Sequence, residues 1–192
     1  MIDLFRVSVY CEKLSTNINE LEIFCRRERK QNKGNYASNE GGWQSVDLFQ
    51  EERLDVLKKV GLISTIEHHA SLYAESIGIS TNLKIDTLWI NINDYGNHNV
   101  SHMHPNCLIS GVFYVKVPKD SGSLVFHNPG SDMMSYDWDL DAVKRWTPYT
   151  SRTMTFTCEE GSLVLFPSWL KHRVEASNNK HNSRISISFN LS

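Results

Sequence analysis

"SHMHPN", residues 101–106, sets His102 and His104 two positions apart, and what that pair can do depends on whether the stretch is extended. On a β-strand successive side chains alternate between faces, so residues i and i+2 project to the same side a few ångströms apart. Two imidazoles presented in that way can chelate a metal. The neighbouring sequence decides whether the strand reading holds.

From Lys84 onward the chain is a series of short apolar or alternating runs punctuated by Gly, Pro and Asn. They are "KIDTLWININDY" (84–95), "CLISGVFYVKVP" (107–118), "GSLVFHNP" (122–129), "RTMTFTCE" (152–159), "GSLVLFPSWLKHRVEA" (161–176) and "RISISFNL" (184–191). Strands at such intervals predict an antiparallel sandwich or barrel. The stretch from Gly130 to Ser151 interrupts them, with one helical turn expected around "DLDAVKRW". It reads as a lid or substrate-contacting segment or as a plain surface insertion.

The first 83 residues read differently. After a short opening strand, "NINELEIFCRRERKQN" (17–32) carries Ile18, Leu21, Phe24 and Cys25 at helical spacing, with Thr16 or Asn17 as the N-cap. Residues 33–45 predict a loop anchored by Trp43. A second helical region is expected from Asp47 to about Ser76, with Leu62, Ile66, His69, Leu72 or Tyr73 and Ile77 on one stripe. His68 and His69 are ordinary helix residues in this reading. Helices first and strands after predict one domain in which the helices cover an outer sheet face.

Composition narrows the function classes. The chain has 192 residues, 40% apolar content and a net charge of −2, enough for one sizeable core and no field to draw it to nucleic acid or an anionic membrane. The basic run "CRRERK" (25–30) reads as a solvated helix face. No run reaches the roughly 18 apolar residues of a membrane helix, and the N-terminus lacks the apolar core of a secretory signal, so a cytoplasmic protein is expected. Cys11, Cys25, Cys107 and Cys158 are scattered without a CxxC pair and read as reduced structural thiols.

A metal site needs a third ligand, and His172 follows an apolar strand and Pro167, where a chain can turn a side chain into a barrel mouth. His102, His104 and His172 would then leave three coordination positions open, which suits a metal that also holds substrate and oxygen. An HxH pair alone also occurs in hydrogen-bonded surface pairs. In "RISIS" the alternation puts Arg184, Ser186 and Ser188 on one face and Ile185, Ile187 and Phe189 on the other. Turned inward, an Arg fork beside a hydroxyl suits a carboxylate; turned outward, it is a polar row on a half-exposed strand.

Taken together, "NINDYGNHNVSHMHPN", "SGVFYVKVP", "GSLVFHNP", "GSLVLFPSWLKHRV" and "RISISFN" resemble the Fe(II)/2-oxoglutarate-dependent dioxygenase superfamily. More narrowly, they resemble a family of 2-oxoglutarate/Fe(II) oxygenases marked by HxHPN, SGVxYV and LFPSWLxH. The opening "LFRVSVY" and "SNEGGWQS" are similar to that family's N-terminal part. The resemblance implies a double-stranded β-helix, a cupin-like jelly-roll barrel, over residues 84–192, with residues 1–83 as mainly helical support and the whole of 1–192 as a single domain.

It further implies Fe(II) held by His102, His104 and His172, with His104 standing where the superfamily carries a carboxylate. Arg184 and Ser186 fall on the pattern that holds the far carboxylate of 2-oxoglutarate. Asn91 and Asn93 fall on a cosubstrate-contacting pair, Asn93 departing from its usual Tyr. Tyr114, Phe126 and Asn128 are candidates to shape the pocket, His127 could line its mouth, His98 belongs to a turn, and Asp94 and Asp132 read as surface residues. The implied activity consumes O2 and 2-oxoglutarate, hydroxylates an unidentified substrate and releases succinate and CO2. The alternatives are a three-histidine cupin-type dioxygenase that uses no 2-oxoglutarate and a non-catalytic metal-binding jelly roll.

Overall fold

The computed structural model describes residues 2, 4–50 and 53–192. Eleven strands are found among them: β1 (Tyr10–Lys13), β2 (Asn39–Glu40), β3 (Trp43–Gln44), β4 (Ile85–Asn93), β5 (His98–His102), β6 (Ile109–Lys116), β7 (Leu124–His127), β8 (Thr153–Phe156), β9 (Ser162–Pro167), β10 (His172–Val174) and β11 (Arg184–Leu191). They pair antiparallel throughout, in a six-stranded sheet ordered β1-β9-β6-β11-β4-β3 and a five-stranded sheet ordered β2-β5-β10-β7-β8. The two sheets form the expected jelly roll.

The large sheet has two unlike faces. Leu88, Ile90 and Ile92 of β4 and Ile185, Ile187, Phe189 and Leu191 of β11 belong to a core that also contains Leu21, Phe24, Leu57, Leu62, Ile66, Ala70 and Tyr73 from the helices. The alternate residues on the same strands, Trp89, Asn91, Ser186 and Ser188, face a cavity between the sheets. A smaller apolar cluster of Val112, Tyr114, Leu124, Phe126, Val164, Phe166 and Leu170 lies within the barrel. The period of two therefore assigns apolar side chains to the helical layer and polar ones to the barrel interior.

The helices cover an outer face, as their order in the chain predicts. Helix α1 (Ile18–Gln31) starts where Asn17 Oδ1 accepts the Glu20 amide at 3.2 Å and buries Leu21, Phe24, Cys25 and Glu28. Buried Glu28 is paired with Arg53 at 2.9 Å, so the "CRRERK" run is not solvated on every side. The expected helix from Asp47 to Ser76 is shorter and broken: α2 (Asp55–Lys59) and α3 (Leu62–Ile77) are separated at Gly61, whose φ of 72° lies in the left-handed region. Residues 51 and 52, inside that expected helix, lie outside the described ones.

Two further expectations shift. Residues 33–45 carry β2 and β3, which attach this segment to both sheets, and Trp43 does anchor it, donating Nε1–H to Asn32 O at 3.0 Å. In the 130–151 interruption the expected turn within "DLDAVKRW" is a 3₁₀ turn at Leu140–Ala142, and it is preceded by a helix that was not expected, α4 (Ser131–Asp137). No helix among the described residues is long and apolar enough to cross a membrane.

Gly111 sits mid-strand on the helix-facing side of β6, where a Cβ would lie 2.5 Å from the Phe189 ring and 2.7 Å from Leu165 Cδ2. Gly111→Ala is expected to overpack this site and destabilise the fold by about 1–3 kcal/mol. Thermal unfolding should show a Tm lower by about 2–12 °C, and an unchanged Tm would show that the sheet relaxes freely there.

Candidate metal and cosubstrate site

His102 is the last residue of β5 and His172 the first of β10, and the antiparallel register sets them directly opposite each other. Both rings are held from behind. His102 Nδ1 lies 2.7 Å from Val100 O and His172 Nδ1 lies 2.8 Å from Leu170 O. A carbonyl only accepts, so each Nδ1 carries the proton and each Nε2 keeps its lone pair free for a ligand.

His104 reaches the same place by another route. It lies two residues beyond the end of β5, just before the Pro105–Asn106 turn, so regular strand pairing does not by itself fix the HxH geometry. Its backbone N–H donates to Ser168 O at 3.0 Å, fastening this residue to the segment that leads into His172. His104 Nε2 lies 3.3 Å from His172 Nε2. The ring centroids are 4.9 Å apart for His102 and His104, 4.4 Å for His102 and His172, and 5.1 Å for His104 and His172.

One ligand nitrogen from each of the three rings lies within 4.8 Å of the others. Nitrogens bound to one ion at about 2 Å would stand roughly 3–4 Å apart, so the rings need only a small adjustment to share a metal. No carboxylate joins them in the cluster among the described residues. Asp94 is engaged elsewhere, paired with Arg29 at 2.6 Å and hydrogen-bonded to Ser183.

Burial keeps the three rings neutral. It pulls His102 below its ordinary value against a raising effect of the Val100 carbonyl. His104 is pushed down to about 4 by burial and by the nearby His102, and His172 to about 3 by burial, then by His102 and His104. Neutral imidazole is the form that binds a metal.

Arg184 lies in the same cavity, at the start of β11. It is 2% exposed, and its described hydrogen bond, Nη1 to Gly122 O at 3.3 Å, leaves Nε buried without a partner. A guanidinium that is buried without a carboxylate calls for an anionic ligand. Ser186 and Ser188 line the cavity beside it, as does Tyr114. The inward alternative for the "RISIS" row is the one that the fold adopts.

The asparagines divide. Asn91 lines the cavity, donating to Ser188 Oγ at 3.2 Å and accepting from Asn39 Nδ2 at 3.3 Å. Asn93 is fully buried and is not among the lining residues; its Nδ2 donates to Asn39 Oδ1 at 2.7 Å, and its Oδ1 has no partner. Asn39 thus ties both together, a role that sequence reasoning missed because it rests on β2 folding over the barrel. Trp89 was missed as well. It lines the cavity with its ring 5.6 Å from His104, and counting back two residues from Asn91 on the same strand would have found it.

Other candidates fall outside the cavity. His127 makes its contact with Ser101 Oγ, while its neighbour Phe126 packs toward His172 and Phe166. Asn128 donates to Ser151 O at 3.0 Å, closing the base of the 130–151 interruption. His69 meets Tyr10 OH at 2.7 Å, a helix-to-strand contact remote from the three-ring cluster.

A two-sheet barrel with three convergent imidazoles and a buried unpaired guanidinium has the architecture of the 2-oxoglutarate/Fe(II) oxygenases. The family model described as "Putative 2OG-Fe(II) oxygenase" matches residues 87–190, more than half of the chain, and the protein belongs to that family. Its cofactors are accordingly Fe(II) and 2-oxoglutarate, and it is an oxygenase that takes O2 and a further substrate. No curated protein matches the chain by sequence.

Solved structures share the double-stranded β-helix fold at low identity. The epimerase SnoN from nogalamycin biosynthesis is 16% identical with a TM-score of 0.68, over 97% of this chain and 78% of that one. HygX from Streptomyces hygroscopicus, solved with nickel and 2-oxoglutarate bound, is 11% identical with a TM-score of 0.64, over 97% and 83%. A prolyl-4-hydroxylase from Pseudomonas putida is 17% identical with a TM-score of 0.60, over 96% and 92%.

The depressed imidazoles predict a pH dependence of the metal-free protein. A histidine whose folded pKa lies below the ordinary 6.5 binds fewer protons folded than unfolded, so its contribution is present above about 6.5 and is lost as pH falls toward about 4 for His104 and about 3 for His172. Urea unfolding between pH 7 and pH 4 should show stability falling with acidification, and His172→Gln should flatten that fall. An identical slope in the variant would show that His172 is not held neutral by the fold.

Proposed function

We propose that His102, His104 and His172 hold Fe(II), that Arg184 and Ser186 take the far carboxylate of 2-oxoglutarate, and that Asn91, with Asn93 behind it, shapes the cosubstrate pocket. The observation that carries this reading is one cavity lined by three neutral imidazoles and by a buried guanidinium whose Nε has no partner. The reaction is hydroxylation of a C–H bond in a substrate, with one oxygen atom of O2 entering the product and the other entering succinate as CO2 leaves. Iron and 2-oxoglutarate supply the oxygen chemistry when bound.

The residues of this chain do the rest. The carbonyls of Val100 and Leu170 hold two imidazoles in the tautomer that offers Nε2. Arg184 and Ser186 orient the cosubstrate by charge and hydrogen bond, and Tyr114 and Leu124 supply buried wall that keeps water out. Residues 1–83 act as support within one domain of 192 residues, their helices fixing the outer face of the sheet whose inner face carries Arg184.

His104 in place of a carboxylate favours a second reading. Three neutral ligands leave the site one unit more positive than two histidines and an aspartate would, and three-histidine iron sites serve dioxygenases that use no 2-oxoglutarate. In that case Arg184 holds an acidic substrate. The fold accommodates several reactions and does not choose among them.

Anaerobic titration with Fe(II) and 2-oxoglutarate is expected to produce the visible metal-to-ligand charge-transfer band, lost separately in His102→Ala, His104→Ala and His172→Ala. Arg184→Met should raise the concentration of 2-oxoglutarate needed by about 30-fold or more, the cost of removing one partner of a buried charge pair. Survival of the band in His104→Ala would remove that residue from the ligand set. Oxygen consumption without 2-oxoglutarate would favour the second reading.

A further inference from the structure

Outside the histidines the cavity continues into an open groove walled on one side by the segment from residue 35 to residue 50. His102, His104 and Trp89 form its floor, and Gln44, Asp47 and Ser38 are among its walls. Among the described residues lining it there is no lysine or arginine, and Asp47 is the one carboxylate.

Asp47 is fixed by half of its carboxylate. Oδ1 accepts the backbone N–H of Phe49 at 3.0 Å and that of Leu88 at 3.1 Å, which ties the loop to β4 one residue before Trp89. Its other oxygen, Oδ2, is buried with no hydrogen-bond partner. Gln44 is 8% exposed, and its Oε1 is likewise buried and unpartnered. Two of the residues that line the groove therefore carry a buried, orphaned acceptor, one of them on a carboxylate, and Trp89 lines the same groove.

The chemistry of the missing partner follows. Both oxygens can only accept, so whatever completes them must donate. An apolar ligand would leave them unpaired, and an anion would be repelled by the carboxylate. A neutral hydroxyl could satisfy Gln44 but would leave the charge of Asp47 uncompensated. A cation with N–H donors answers all three features, because the face of Trp89 also attracts positive charge.

We propose that this groove is the substrate subsite and that it takes an organic cation, an ammonium or guanidinium group, bound between Asp47 and Gln44 beside Trp89. The proposal rests on the oxygenase reading for the statement that the bound cation is the substrate; the binding itself needs no iron. The group can come from a small amine or from a lysine or arginine side chain of a peptide, since both offer the same donors. The barrel then separates its ligands by charge, with the anionic cosubstrate at Arg184 on one side of the three histidines and the cationic substrate at Asp47 on the other.

The test uses the metal-free full chain and follows the indole N–H resonance of Trp89, assigned with Trp89→Phe. Titration with n-butylammonium should shift that resonance saturably, while n-butanol and n-butyrate should not. Asp47→Asn keeps the Oδ1 acceptor and removes the charge, and should weaken n-butylammonium by about tenfold, the effect of one charge-assisted hydrogen bond. Gln44→Glu adds a second carboxylate and should tighten it, a readout that stands if Asp47→Asn fails to fold.

A blocked lysine-containing pentapeptide that binds more tightly than n-butylammonium identifies a peptide source, and equal binding identifies a small amine. Butyrate bound as tightly as the amine, unchanged affinity in folded Asp47→Asn, or no saturable shift with any probe overturns the proposal. Saturable amine binding in a protein that gives no charge-transfer band with Fe(II) and 2-oxoglutarate would leave the cation site standing and remove the oxygenase reading.

Discussion

The cross-strand meeting of His102 and His172 is the contact on which the candidate site depends. Strand β10 is only three residues long, yet it is held between β5 and β7, with His172 opposite both His102 and Phe126. A slip of one residue would turn His172 to the other face of the sheet and move Arg173 into the cavity. The register is secured by apolar neighbours: Phe166 meets the His172 ring in a T-shaped contact at 4.7 Å, Phe126 lies tilted to it at 6.2 Å, and Leu170 is buried just before it. The meeting of these two imidazoles is thus maintained by strand register, hydrophobic packing and the Val100 and Leu170 carbonyls behind the rings.

The large sheet supplies the other half of the site through an asymmetry between its faces. Its helix-facing side is continuous apolar core, and each of those buried aliphatic or aromatic side chains contributes on the order of 1.5–3 kcal/mol relative to exposure. The inner side can therefore carry Arg184, Asn91, Asn93 and Ser186, which would weaken a sheet that had no second face to rely on. The amides are linked through Asn39, so the polar interior is a network rather than a set of isolated groups. Arg184 Nε and Asn93 Oδ1 are buried in that interior without a hydrogen-bond partner.

Charge is distributed along the barrel in an ordered way. Arg184 is positive and buried at one end of the cavity, the three imidazoles are neutral in the middle, and Asp47 lies in the groove outside them. Each position is set by a different element, β11, the β5 and β10 pair, and the loop between β3 and α2. A substitution in one of these elements can consequently leave the other two positions in place.

The sequence by itself determined the strands from Lys84 onward, the alternation of polar and apolar residues in "RISIS" and the family resemblance, because alternation and short motifs are local properties. The pairing of the helices with an outer sheet face was also legible, since α1 declares its stripe through Leu21, Phe24 and Cys25. Position in space was not legible. His104 joins the cluster from beyond the end of β5, fastened by Ser168 some sixty residues away, and Asn39, Gln44 and Asp47 reach the barrel only because β2 and β3 attach their segment to both sheets. Sequence spacing carries no information about contacts made across such distances; only the tertiary structure, by fixing strand order and register, decides which of the eight histidines and which of the many amides meet.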